Sequence, residues 1–489
     1  MNIILCSAEI SPLAKTGGLA DVCYYLPKEW KKLGHNPIVI LPKYGFIDTE
    51  KYNLKPTLIT LNVPMGHNTE FARLWSGFLP DSDVPLYLVE YEQYFNRKEI
   101  YGETNEYVDN DRRFIFISRA VFEVAKAIDF TPDIIHAHDY HLAFTMPFLK
   151  IYYNKEERFK NTSGVFTIHN LAYQGKFNQY RVMDYAGFGM KEFFPGSWFE
   201  HQGVCNFIKT GIMFADKVST VSPNYANEIK NAYYGEGLYN VLSEKAADLV
   251  GILNGVDYDL WNSNEDDLIY QKYNTSDLSI KEVNKIELLK AMQIDPYKES
   301  ELPLVGIVSR LTEQKGIDII KDSLIKNLEK RKFKFILLGN GENQYIDFFN
   351  YLKHRFPDLV SIYIGYDNEL SHKVIAGSDI LLVPSRFEPC GLTQLYALKY
   401  GTLPLARATG GLVDTVVEYS YEFQTGDGIV FNNYNTEDFD YAIQRAINLY
   451  NDKFHLEKVR QNAMKKDYSA NSSAQKYIEL FNWAKEKLG

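Results

Sequence analysis

The sequence predicts an α/β protein made of two Rossmann-like, doubly wound halves facing across a cleft, and three observations carry that prediction. Short apolar runs of strand length alternate with amphipathic helical stretches along nearly the whole chain. The alternation breaks once, around Leu249–Trp261, where an Asn254–Gly255 turn leads into a stretch rich in Asn, Asp and Ser, and it restarts at Leu304. The length of 489 residues suits two large domains or three small ones at about 150 residues per domain.

The first half opens with a buried strand, Asn2–Leu5, then a loop, a helix from Ala20 to Leu33 and a second strand, Pro37–Leu41. This βαβ unit seeds a parallel sheet. From Leu58 to Tyr91, strand-like runs separated by Pro, Gly and Asp read as an antiparallel insertion. A helix (Asp111–Ala127), two strands (Asp133–Ala137, Gly164–Ile168), a helix (Val204–Phe214) and a strand (Lys217–Val221) follow. The second half has strands at Leu304–Ser309, Lys334–Leu338, Ser361–Ile364, Asp379–Val383 and Thr402–Leu405, each followed by a helical pattern. An amphipathic helix, Ser472–Leu488, could belong to either half.

Hydrophobic residues make up 45% of the chain and charged residues 24%, so it can bury full cores, and global disorder is excluded. The formal charge of −10 has the wrong sign for coating nucleic acid or an anionic membrane. Any phosphate must be held locally. No apolar run approaches the roughly 18–20 residues that cross a bilayer. Cys6, Cys23, Cys205 and Cys390 form no CxxC pair and read as reduced thiols, so a soluble, cytoplasmic protein is expected.

Open parallel sheets bind ligands beyond the carboxyl ends of their strands, so the loops there carry the chemistry. In SAEISPLAKTGGL, Gly17 and Gly18 precede a helix, and Lys15 adds a charge; the pair can cradle a phosphate or serve only as a tight turn. In SRLTEQKG, Arg310 and Lys315 flank the end of a strand and the start of a helix, a placement that favours pyrophosphate binding over a solvated surface pair. In VPSRFEPCGLTQL, Glu388 precedes a turn whose amides, from Cys390, Gly391, Leu392 and Thr393, form a second anion nest. A carboxylate there makes sense if it accepts hydrogen bonds from sugar hydroxyls.

IHAHDYH tempts a metal reading, but its spacing departs from HxHxDH and no CxxC or HExxH accompanies it. Asp139 and His141 read instead as contacts to a polyol. His169, in TIHNLAYQG, is either a satisfied core histidine or a group facing the ligand. GNGENQ lacks the third glycine of a dinucleotide loop, and neither GxSxG nor GxxxxGK[ST] occurs, which disfavours dehydrogenase, acyl-hydrolase and P-loop chemistry.

Jointly, KTGGLADV, HAHDYH, TIHNLAYQG, NGVD, SRLTEQKG and FEPCGLTQLYALKYGTLP resemble bacterial glycogen synthases and plant starch synthases, in order and spacing over essentially the whole chain. The resemblance implies a GT-B glycosyltransferase with an acceptor-side domain (1–250), a nucleotide-sugar domain (251–470) and a last helix (471–489) crossing back to the first. It implies transfer of glucose from ADP-glucose to the non-reducing 4-hydroxyl of an α-1,4-glucan, glycogen or maltooligosaccharide, with retention and with no metal or cofactor. His169, Arg310, Lys315 and Glu388 then match catalytic positions. Lys15, Gly17, Gly18, Asn254, Tyr366 and the Cys390–Thr393 turn match donor contacts, with Tyr366 stacking on the base, and Glu9, Asp139 and His141 match the acceptor side. Two departures are DYH for the common DWH, and Tyr396 at the second glutamate of the E(x7)E motif of related retaining transferases. A UDP-glucose or dual-donor synthase is the near alternative, and a catalytically dead glucan-binding scaffold the distant one.

Overall fold

Continuous apolar runs such as Ile3–Leu5 are buried on both faces only inside a parallel sheet covered by helices, and they lie in such sheets here. The computed structural model describes residues Met1–Glu486. It has two units: Met1–Gly255 with the stretch from Ala470, and Val256–Ser469.

The first unit carries β1 (Asn2–Cys6), β2 (Asn36–Pro42), β3 (Lys55–Met65), β4 (Asn68–Phe78), β5 (Pro85–Glu90), β6 (Ile134–His138), β7 (Ser163–Ile168), β8 (Lys176–Phe177), β9 (Glu200–His201), β10 (Val204–Asn206), β11 (Lys217–Thr220) and β12 (Leu249–Gly251). Nine of them form one sheet, in the order β12-β11-β7-β6-β1-β2-β5-β4-β3, and β8-β10-β9 make a small antiparallel sheet. From β12 to β5 every neighbour is parallel. β3, β4 and β5 pair antiparallel in turn, as expected of the stretch from Leu58 to Tyr91, and β5 joins this insertion to the rest of the sheet by registering in parallel on β2, Val39 opposite Leu86.

Two expectations are corrected. Val204–Asn206 is a strand, and the helix begins at Phe207, because the Asn206 side chain accepts from the Lys209 amide and caps it there. A boundary at 250 would cut β12, which pairs with β11; the units divide after Gly255. The final helix, Ala470–Glu486, packs on the helix Gly18–Lys32 and on β7. There Phe481 lies 5.1 Å from Trp30, ring to ring, and Lys485 pairs with Asp133 at 2.6 Å. Leu488, in the expected helix, falls outside the described residues.

The second unit holds β13 (Leu304–Leu311), β14 (Lys334–Gly341), β15 (Val360–Ile364), β16 (Ile380–Val383), β17 (Leu403–Arg407) and β18 (Ile429–Phe431). They form one parallel sheet in the order β15-β14-β13-β16-β17-β18. Its core is a cluster of Val305, Ile307, Phe335, Leu337, Ile380 and their neighbours. The terminal strand β18 has only three residues and was not expected. Among the described residues no helix is long and apolar enough to cross a membrane, and Cys6, Cys23, Cys205 and Cys390 are all buried.

In each sheet the strand order reverses beside the first strand: β1 lies between β6 and β2, and β13 between β16 and β14. Loops leaving the carboxyl ends of strands at such a switch point diverge and open a crevice. Those loops are the ones after β1, β6, β13 and β16.

Candidate active site

In the first unit, the loop after β1 folds over Glu9. The Glu9 carboxylate accepts from the Thr16 amide and hydroxyl, each at 2.6 Å, from the Gly17 amide at 3.1 Å, and from the Tyr101 hydroxyl. Gly17 is extended, φ −155°, and a Cβ built on it meets no described atom within 4 Å. A tight turn is therefore not what the glycine serves; the space in front of it is. The helix Gly18–Lys32 starts there without a side-chain cap, and exposed Lys15 pairs with Asp21 at 2.6 Å. These are the features of a small anion site.

At the ends of β6 and β7, Asp139 Oδ1 accepts from the His169 amide at 2.7 Å, and His138 Nδ1 meets His169 Nε2 at 2.9 Å. Asp139 is left-handed, φ +54°, a conformation tolerated by a short polar side chain that hydrogen-bonds locally. His141 is buried and stacks on Tyr101, centroids 4.5 Å apart. Tyr101 thus joins His141 to Glu9. Burial pushes His169 down to about 3, so the ring is neutral at physiological pH. Burial also raises Asp139 to about 7, with the Glu9 charge adding to it against the His169 amide.

In the second unit, Lys315 sits in a 3₁₀ turn, Glu313–Lys315, just before the helix Ile317–Glu329. Its Nζ reaches Glu388 Oε2 at 2.6 Å, and Ser385 Oγ donates to the same oxygen at 2.9 Å. Glu388 is only 6% exposed, so these two donors are what lets a carboxylate stay there. Arg310, at the exposed end of β13, has one long hydrogen bond, to Gln314 at 3.4 Å. Beyond Glu388, Gly391 is left-handed, φ +76°, and the helix Thr393–Lys399 begins with no side-chain cap. Gln394 clamps this turn by donating to the Cys390 and Gly391 carbonyls.

Each unit thus gathers part of the expected set: Glu9, Lys15, Gly17, Gly18, Asp139, His141 and His169 in the first, Arg310, Lys315, Glu388 and the Cys390–Thr393 turn in the second. Tyr366 stands apart after β15, 75% exposed, with a free ring face, and Asn254 lies buried after β12. Tyr396 is a packing residue, stacked on Trp261 with centroids 3.9 Å apart. Sequence reasoning weighed His138 only as a metal ligand within IHAHDYH, and missed Tyr101, Ser385 and the pair Gly410–Gly411, whose Gly411 amide donates to the Glu388 carbonyl at 3.0 Å. Only the glycine pair had a readable signal, since TGG recurs from the first loop.

The raised Asp139 carboxyl makes stability depend on pH. The folded form keeps the proton up to about 7 while an unpaired Asp releases it near 3.8, so stability is lost as pH rises through that interval. Asp139→Asn keeps the acceptor and tolerates the left-handed backbone. Its unfolding midpoint should gain on the wild type between about pH 4 and about pH 7 and then level off; a difference independent of pH would refute the raised carboxyl.

Residues 2–244 match the family described as starch synthase catalytic domain, and residues 292–466 match glycosyl transferases group 1. The glycogen synthase of Clostridium novyi (strain NT) is 40% identical, covering 99% of each chain. That of Bacillus subtilis (strain 168) is 39% identical over 98% of each. Among solved structures, the catalytic domain of starch synthase IV from Arabidopsis thaliana bound to ADP and acarbose is 33% identical, with a TM-score of 0.91 over 99% of both chains. Likeness this extensive, on a chain with two Rossmann-like units and polar loops at both switch points, places it plainly: it belongs to the glycogen and starch synthase family of retaining glycosyltransferases with the GT-B fold.

Proposed function

We propose that this chain transfers glucose from ADP-glucose to the non-reducing 4-hydroxyl of an α-1,4-glucan in the cytoplasm. The observation that carries the reading is the grouping of Arg310, Lys315 and buried Glu388 beside an uncapped helix start. Arg310 and Lys315 stabilise negative charge that grows on the departing diphosphate, and the Gly391–Thr393 amides hold its oxygens. Glu388, with Oε2 held by Lys315 and Ser385, offers Oε1 to sugar hydroxyls. Tyr366 presents a flat ring to the base. In the first unit, Lys15, Gly17 and Gly18 are assigned to the donor phosphates and His169 to the reacting sugar; Asp139 and His141 are assigned to the acceptor. Glu9 acts on that side through the loop that it holds.

Support for the adenine nucleotide comes from the starch synthase IV relative, whose structure holds ADP and acarbose. The test is a matrix of purified protein with radiolabelled ADP-glucose or UDP-glucose against glycogen and maltooligosaccharides. Faster incorporation from ADP-glucose, in linkages released by an α-1,4-specific hydrolase, is expected. Preference for UDP-glucose would overturn the donor assignment, and no incorporation from either donor would point to a glucan-binding scaffold.

A further inference from the structure

His169 is joined through its ring to a histidine that the assignments above leave without a role. His138 ends β6, is fully buried, and meets His169 Nε2 through its Nδ1 at 2.9 Å. Its own Nε2 is buried with no hydrogen-bond partner among the described residues. Next to it His136 is tied off separately: its Nε2 meets the Thr167 hydroxyl at 2.6 Å, and that hydroxyl meets Ser219.

Between His138 and His169 there is one hydrogen bond, and either ring can supply its proton. Were His169 the donor, neutral His138 would carry its proton on Nε2, leaving a buried N–H with no acceptor, the rarer and costlier kind of orphan. With His138 as donor from Nδ1, Nε2 keeps only a bare lone pair. His169 then accepts at Nε2, and its own proton must sit on Nδ1. No described residue partners that nitrogen. Burial holds both rings well below the usual histidine range, so neither escapes the choice by taking a second proton.

We propose that His138 is a positioning residue that holds His169 in its Nδ1–H tautomer, so that the free edge of His169 meets the substrate as a hydrogen-bond donor. Asp139 anchors the backbone of the same residue, so ring and main chain are held by neighbours in sequence. The inference rests on the assignment of His169 to the reacting sugar and adds how that ring is prepared; a neutral donor suits an oxygen that must stay uncharged in the ground state, whereas the same ring as an acceptor would turn its lone pair toward it.

Long-range proton–nitrogen NMR on protein labelled with ¹⁵N-histidine reads the tautomer in the wild type, with no variant needed. A protonated Nδ1 on His169 is expected; a protonated Nε2 overturns the proposal. In glucosyl-transfer assays, His138→Leu should lower kcat by about 10- to 100-fold, the scale of losing a residue that orients a ligand-contacting histidine, with the donor KM little changed. His138→Asn, whose amide can donate from the place of Nδ1, should recover most of that loss. Equal impairment of the two variants at equal unfolding midpoints would show that only the ring volume matters and overturn the proposal. Failure of the wild type to transfer glucose from any donor would instead refute the functional reading, while the tautomer would still decide the role of His138.

Discussion

Lys315→Ala is expected to lower kcat by roughly 10²- to 10³-fold, the scale of removing one preorganised donor from a developing oxyanion. Arg310→Ala is expected to do the same, and Arg310→Lys to remain impaired, because a point charge cannot replace a bidentate guanidinium. The two alanine variants should part company in stability. Sequence reasoning places neither side chain in a core and expects stability barely to change in either. The structure corrects this for Lys315: its removal leaves buried Glu388 with only Ser385 as a side-chain donor, at a cost of about 1–3 kcal/mol. Arg310 is exposed, and its loss should leave the midpoint unchanged. Adding Glu388→Gln to Lys315→Ala should recover the midpoint but not the turnover. Calorimetry and steady-state kinetics on the four proteins check this; wild-type turnover in either single variant would remove the leaving-group role.

The second large effect is expected at Gly410, which touches no substrate in the scheme above. Its φ is +48°, and a Cβ there would fall 1.9 Å from the Glu388 carbonyl oxygen. Gly410→Ala must therefore strain its own backbone and push out the Glu388–Cys390 turn, at a cost of about 2–5 kcal/mol. Activity should fall with it, because the displaced turn carries both the carboxylate and the amides. Gly17→Ala is the contrast. With extended backbone and open space at Cβ, it should fold normally and weaken donor binding by crowding the amides. Thermal unfolding and donor KM separate the two; a Gly410→Ala protein of native midpoint would mean the turn is not braced there.

The parallel sheets were legible because strands buried on both faces must be apolar without interruption, as in Ile3–Leu5 and Phe335–Leu338. Pairing was less so. Pro85–Glu90 looks local to its hairpin, yet its parallel partner Asn36–Pro42 is remote in sequence and nothing in either run names the other. The strand Val204–Asn206 is too short for its period to be told from a helical turn; only the cap on Lys209 decides. Residues at strand ends, such as Asp139, His169 and Arg310, could be singled out as candidates because their position marks them. Glu9 was noticed but read as facing ligand, whereas its oxygens are taken by Thr16, Gly17 and Tyr101, contacts that depend on loop closure. His138 stood in a readable motif, but its meaning depends on His169, 31 residues away just past the end of the adjoining strand.

The division of the chain sets an order on its synthesis. The second unit is an insertion: the chain leaves the first unit after Gly255 and re-enters at Ala470, and the two crossings lie side by side, the Val256 amide donating to the Tyr468 carbonyl at 2.7 Å. A ribosome releases all strands of the nine-stranded sheet before it makes the helix that covers Trp30 and β7. At about 5–20 residues per second the seat of Phe481 and Tyr477 stays uncovered on the nascent chain for a time on the order of tens of seconds. Dependence of expression on chaperones should thus follow that one seam: substitutions at Trp30, Tyr477 or Phe481 would sharpen it, while equally buried changes inside Val256–Ser469, a segment whose ends meet and whose core is contiguous in sequence, would not.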